Sequence, residues 1–161
     1  MPILAKLKQT LDEAKISYEV FNHPLAFTAQ EIAAKQHVSG REIAKVVVLN
    51  VDDELVMAVI PGSSKVALHV TSESLKANRV RLAYEDEFIS RFPSCEIGAM
   101  PPFGNLFGMR VIVDPELAQD KYIYFNAGNH AQTVRLAYKD FAALVKPRIA
   151  PLVEARRKKA A

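Results

Sequence analysis

Lys45 is the first residue whose placement asks for chemistry. If residues 43–51 form a strand, Ile43, Lys45, Val47 and Leu49 share one face and Ala44, Val46, Val48 and Asn50 the other. Neither face is polar. An unpaired buried ammonium is costly, so Lys45 must either lose its proton or reach an anionic or polar cavity. A lysine at the start of a strand can also run its stem along apolar surface and keep its head in water. Both readings are open at this point.

The second feature is Ile97-Gly98-Ala99-Met100-Pro101-Pro102-Phe103-Gly104, where two glycines bracket a proline pair. Permissive and rigid backbone within so short a stretch can hold N–H and C=O groups toward a ligand without using side chains. A plain structural turn has the same composition. The third is Gly128-Asn129-His130, after a run rich in Tyr and Phe. His130 is able to orient or protonate a substrate group, although a histidine in a surface hairpin reads the same way. His23, His37 and His69 show no metal-ligand spacing with it, so no metal is expected. Phosphate-binding, dinucleotide-binding and serine-hydrolase motifs are all missing. Cys95 has no base beside it in sequence and reads as a small packed hydrophobe.

The elements that must position these residues follow from periodicity and punctuation. Leu4, Leu7, Leu11 and Ala14 repeat at helical spacing after Pro2, and Tyr18–Phe21 is a short strand. Thr28 and Glu31 have capping-box spacing and open a helix to about Lys35. Residues 43–51 and 54–60 flank Asp52-Asp53 as a hairpin. Both arms are apolar at odd and even positions alike, so the hairpin is expected to be central and covered on both sides. A short strand near Lys65–Leu68, a helix from about Thr71 to Ala77, a strand at Val80–Leu82 and a helix at Glu85–Arg91 are expected next. Strands at Met109–Val113, Lys121–Phe125 and Gln132–Leu136 and a closing helix at Tyr138–Val145 complete the reading. After them, Pro147 and Pro151 should loosen the chain. The class is α+β, one domain with a mostly antiparallel sheet surrounded by helices.

Length and composition fit this picture. The chain has 161 residues, 50% of them hydrophobic and 24% charged, enough to bury one core and too apolar for a disordered chain. No uninterrupted apolar run is long enough to span a membrane, so no membrane partner is expected. One cysteine excludes an internal disulfide. With an N-terminus that lacks a cleavable leader pattern, it points to a reducing, cytoplasmic location. Six of the 21 basic residues lie from Lys146 onward, against one acid, Glu154, so the rest of the chain is net acidic. A basic tail over residues 147–161 suits a polyanion such as RNA, and equally suits simple solubility.

In order and spacing, these pieces resemble the YbaK / prolyl-tRNA synthetase-associated domain family of aminoacyl-tRNA deacylases. The matching pieces are His23-Pro24 before Thr28-Ala29, Lys45 opening a Val-rich strand, the Gly98–Gly104 loop, and Gly128-Asn129-His130. They span roughly residues 1–146, the expected domain. The resemblance implies a partly barrel-like sheet and hydrolysis, in trans, of the ester joining a wrong amino acid to tRNA. It makes Lys45 and the Gly98 backbone catalytic, with the terminal ribose 2′-OH helping to activate water. A cationic lysine fits negative charge developing on a carbonyl oxygen. The implied substrate-binding positions are Thr28, Val46, Ala99, Met100, Pro101, Pro102, Phe103, Gly128 and His130. The implied partner is the aminoacylated tRNA end, with an aminoacyl-tRNA synthetase as a further candidate; no cofactor and no DNA are expected. Val46 replaces a small polar residue common in members acting on proline tRNA, and Ala99 replaces a second glycine. Both bear on which amino acid fits. Two other readings stand beside this one: a non-catalytic module that binds aminoacyl-tRNA or protein on the same fold, and a hydrolase of another small ester or amide.

Overall fold

The structure, a computed structural model, describes residues 4–22 and 42–154. Helix α1 (Ala5–Glu13) buries Leu7 and Leu11 and leads into strand β1 (Tyr18–Asn22). Strands β2 (Ala44–Val51) and β3 (Glu54–Pro61) form the expected hairpin. Its two turn residues, Asp52 and Asp53, both have positive φ, 48° and 70°, the twist that a two-residue hairpin requires. Local hydrogen bonds hold this strained pair. Asn50 Oδ1 accepts from Asp53 N–H, and the Asp52 carboxylate accepts from Asn78 and Arg79 N–H.

Helix α2 (Leu68–Leu75), β4 (Val80–Leu82) and α3 (Glu85–Phe88, continued by a 3₁₀ turn at Ile89–Arg91) follow. Then come β5 (Arg110–Val113), α4 (Pro115–Ala118), β6 (Tyr122–Asn126), β7 (Gln132–Ala137), α5 (Tyr138–Val145) and β8 (Arg148–Ile149). The expected strand at Lys65–Leu68 is not formed. Ala67 N–H is instead taken by the Leu152 carbonyl, and the helix begins at Leu68.

Two sheets result, β4-β2-β3-β5-β8 and β1-β7-β6. Pairing is antiparallel except for β3–β5 and β5–β8. The larger sheet is covered on both faces, as its apolar arms require. Ala44, Val48, Met57 and Val59 point into the main core, where they meet Ile123, Phe125, Val134 and Leu136 of the smaller sheet. Leu49, Val51, Val56, Ala58 and Ile60 point the other way, against Ala150, Leu152 and Val153. The barrel-like closure is not found. Among the described residues the sheets stay open, because they meet through side chains and share backbone pairing only at the parallel bridge between Ile43 and Tyr124.

The chain does not loosen at Pro147. β8 pairs with β5, Leu152 is fully buried, and the Asp114 carboxylate accepts from Leu152 and Val153 N–H as well as from Glu116 N–H. The residue that caps α4 therefore also ties down the segment as far as Val153. Replacing Asp114 with Ala orphans buried donors and should cost about 2 kcal/mol, lowering Tm by about 4–8 °C. A thermal melt within a degree of wild type would remove Asp114 from this role.

Candidate active site

Gly98 lies in the left-handed region, φ +84°, where side-chain-bearing residues are strained. Backbone bonds clamp its loop to the turn after β6. Gly128 N–H donates to Ala99 O, Glu96 N–H to Gly128 O, and Ala99 N–H to Glu96 O. His130 braces the loop from beneath. Its Nε2 donates to Ile97 O at 2.8 Å, the carbonyl fixing the ring nitrogen as donor. A Cβ added to Gly98 would stand 3.5 Å from His130 Cε1. From β6, Asn126 Nδ2 donates to Gly98 O at 3.3 Å. The structure therefore brings Gly98, Ala99, Gly128 and His130 together, with His130 placed to position the loop.

Asn126 gave no signal in sequence. Its amide orientation follows from the bond to the Gly98 carbonyl, and this leaves Oδ1 buried with no hydrogen-bond partner among the described residues. A buried acceptor of this kind suits a donor that a ligand brings.

The rest of the loop is set into the protein. Ala99, Met100, Pro101 and Pro102 are buried. Phe103 is fully buried, with its ring 5.5 Å from both Phe125 and Phe141. The Phe103 ring fills the core, so any part this position plays toward a substrate is through the shape it gives the loop. Thr28 lies outside the described residues.

Lys45 occupies the start of β2, half-buried, and its Nζ donates to Ser64 O at 2.7 Å. Burial, and then the neighbouring Lys65 ammonium, hold its pKa below the ordinary lysine value of 10.5. Strand alternation places Val46 against the main core, which also holds Met100 and Phe103, and places Lys45 on the opposite face. The Ile43–Tyr124 bridge runs parallel, so β2 and β6 proceed side by side toward Lys45 and Asn126, two residues beyond the bridge on each strand. Lysine and loop thus share one end of the two sheets, while the ammonium itself rests on Ser64. Ser64 also lines a cavity of ≈ 470 Å³ together with Lys65, His69 and Glu154.

A profile of the aminoacyl-tRNA editing domain matches residues 23–144. The chain belongs to this family. Solved structures share the editing-domain fold. The hypothetical protein APE2540 superposes with a TM-score of 0.82 at 20% identity, over 92% of this chain and 99% of its own. A structure described as "a putative trans-editing enzyme for prolyl tRNA synthetase" gives 0.80 at 20% identity, over 93% and 96%. A structure described as "a Putative signal transduction protein" from Marinobacter aquaeolei VT8 gives 0.72 at 14% identity, over 96% of this chain and 31% of its own. Comparison with curated protein sequences gives no match.

Lys45, Gly98, Gly128 and His130 all fall inside the editing-domain match. Among the described residues no group of His, Cys, Asp and Glu could hold a metal ion, and no helix is long and apolar enough to cross a membrane. Cys95 is half-buried and burial pushes its thiol up to about 11. At neutral pH it is a thiol and a poor nucleophile. Cys95→Ser should therefore keep whatever hydrolysis the editing domain performs, within about twofold, in a steady-state assay. A loss of tenfold or more would make the thiol a participant.

Proposed function

We propose that this editing domain hydrolyses the ester of mischarged tRNA in trans, with Lys45 and the Gly98 backbone serving the reacting carbonyl. Two observations support the reading: a half-buried cation at the start of β2, and, beyond the Ile43–Tyr124 bridge on the neighbouring strand, Asn126 holding an exposed glycine whose loop His130 also braces. Among the described residues nothing accepts from the Gly98 N–H. That N–H is a donor for an oxyanion, and the Lys45 ammonium is a second source of positive charge, once it leaves the neutral Ser64 carbonyl for an anionic group.

Water adds to the ester carbonyl and passes its proton to the ribose 2′-OH of the terminal adenosine, which relays its own proton toward the neighbouring 3′-oxygen. The tetrahedral oxyanion collapses, the bond to the ribose 3′-oxygen breaks, and that oxygen takes a proton as the amino acid leaves. The 2′-OH role comes from family likeness, and it accounts for a site with no protein nucleophile–base pair. Asn126 Oδ1 is suited to accept from the substrate's ammonium or from the attacking water. The test is a deacylation screen across mischarged tRNAs. Release of amino acid from at least one of them supports the reading. Binding without release from any would favour a non-catalytic aminoacyl-tRNA module.

The depressed Lys45 pKa has a pH consequence. Lys45 loses its proton earlier than an ordinary lysine as pH rises, so enzymatic deacylation, corrected for spontaneous ester hydrolysis, should fall on the alkaline side below 10.5. The stability term has the opposite slope. Its desolvation penalty is present in the charged state and is relieved as pH rises through the lowered value. Corrected activity that holds steady to pH 10.5 would show that the charge on Lys45 is not used.

A further inference from the structure

The smaller sheet turns one face to the core; its other face is open at the Tyr122 end, closes at the fully buried Thr133, and is not an ordinary polar one. Alternation along β6 places Tyr122, Tyr124 and Asn126 on it. Their cross-strand neighbours on β7 and β1 add Arg135, Thr133, Glu19 and Phe21. The Arg135 guanidinium lies over the Tyr122 ring at 4.3 Å from its centroid, and the Lys121 ammonium at 5.5 Å. Phe21 and Tyr124 rings are 6.0 Å apart, and Tyr122 is 38% exposed. Beside Tyr122 opens a hollow of ≈ 310 Å³ whose rim includes Lys121, Lys139 and Asp120. At the other end of the row, Asn126 holds Gly98 O.

We infer that this face is the platform for the single-stranded 3′ end of RNA, its last nucleotide toward Asn126 and Gly98 and the preceding bases over Tyr124 and Tyr122. The inference rests on the deacylase reading for which end of the RNA is reacted, and on the sheet for where the RNA lies. Aromatic rings and guanidinium planes stack on any base, and neighbouring cations meet the phosphates. Arg135, Lys121 and Lys139 outnumber the acids Glu19 and Asp120, and the row is continuous with the Gly98 loop. An ester carried on a single strand needs such a surface directly beside the reacting carbonyl.

The test measures fluorescence anisotropy of a labelled single-stranded RNA hexamer ending in CCA, with wild type, Tyr122→Ala and Arg135→Gln. Kinetics on aminoacyl-tRNA and on a minimal aminoacyl-adenosine ester run in parallel, and thermal melts check that each variant folds. Tyr122→Ala should weaken hexamer binding at least about 5-fold, the low end of base–aromatic stacking. KM for aminoacyl-tRNA should rise in step, with kcat and the minimal ester unchanged. Hexamer binding by wild type that Tyr122→Ala weakens, with no ester hydrolysed, keeps the platform and sinks the deacylase. Hydrolysis with hexamer affinity identical in wild type and both variants sinks the platform and keeps the deacylase. A folded variant that loses the minimal ester as well would make Tyr122 part of the reaction site and overturn the platform.

Discussion

Lys45→Ala should lower deacylation of a mischarged tRNA by about 10²- to 10³-fold, the loss expected when one donor to an oxyanion is removed, with melting behaviour close to wild type. Among the described residues the ammonium donates to a neutral backbone carbonyl, that of Ser64. Burial and Lys65 both oppose its charge in the folded state. Such a residue does little to hold the fold together, and removing it should be neutral or mildly stabilising. The prediction is therefore a dissociation of activity from stability. Lys45→Arg keeps a cation but not its shape, since a planar fork replaces a compact head on a flexible stem, and should recover only part of the rate. A Lys45→Ala protein with wild-type turnover would remove this side chain from the mechanism.

Gly104→Ala should damage the fold about as severely as one added methyl can, by about 3 kcal/mol and 6–12 °C in Tm. A Cβ there would lie 2.6 Å from Val111 Cγ2 and 2.8 Å from the Met109 carbonyl oxygen. Neither neighbour yields easily. Val111 is in the core on β5, and Gly104 O itself accepts from Phe107 and Met109 N–H in the same turn. Gly98→Ala makes the instructive contrast. The added Cβ meets only ordinary contact with His130, but the residue must hold φ +84°, a strain of about 1–2 kcal/mol. Gly98→Ala should thus fold, melt a few degrees lower and lose most of its deacylation. Gly104→Ala should lose activity only in proportion to the protein that remains folded. Both are read from paired melts and specific activities. A Gly104→Ala protein as stable as wild type would contradict the packing described.

What sequence made legible was whatever breaks a local rule. A lysine among valines, glycines around a proline pair and a histidine after a Gly-Asn turn are visible without coordinates. Two of the three features, the loop and His130, are in direct contact. The β2–β3 hairpin and α5 were equally plain, because period-2 and period-3.6 apolar patterns extend over enough residues to exclude alternatives. What remained hidden depends on partners distant in sequence. Nothing local shows that Ser64 O holds Lys45, or that Asn126 at the end of an aromatic strand reaches Gly98. Nor does anything local show how far the Asp114 carboxylate reaches. Its second oxygen serves Leu152 and Val153, which is why the chain stays packed where two prolines suggest release. Nor does the loop's sequence show that the core holds the Phe103 ring between Phe125 and Phe141.

The central claim is that Lys45 and the Gly98 loop serve one ligand although the resting ammonium lies on Ser64. A crystal structure with a non-hydrolysable amide analogue of 3′-aminoacyl adenosine 5′-phosphate tests it most directly. The account predicts the amide carbonyl within hydrogen-bonding distance of Gly98 N–H and Lys45 Nζ turned from the Ser64 carbonyl to the analogue. An analogue seated away from Gly98, with Lys45 still on Ser64, would contradict it.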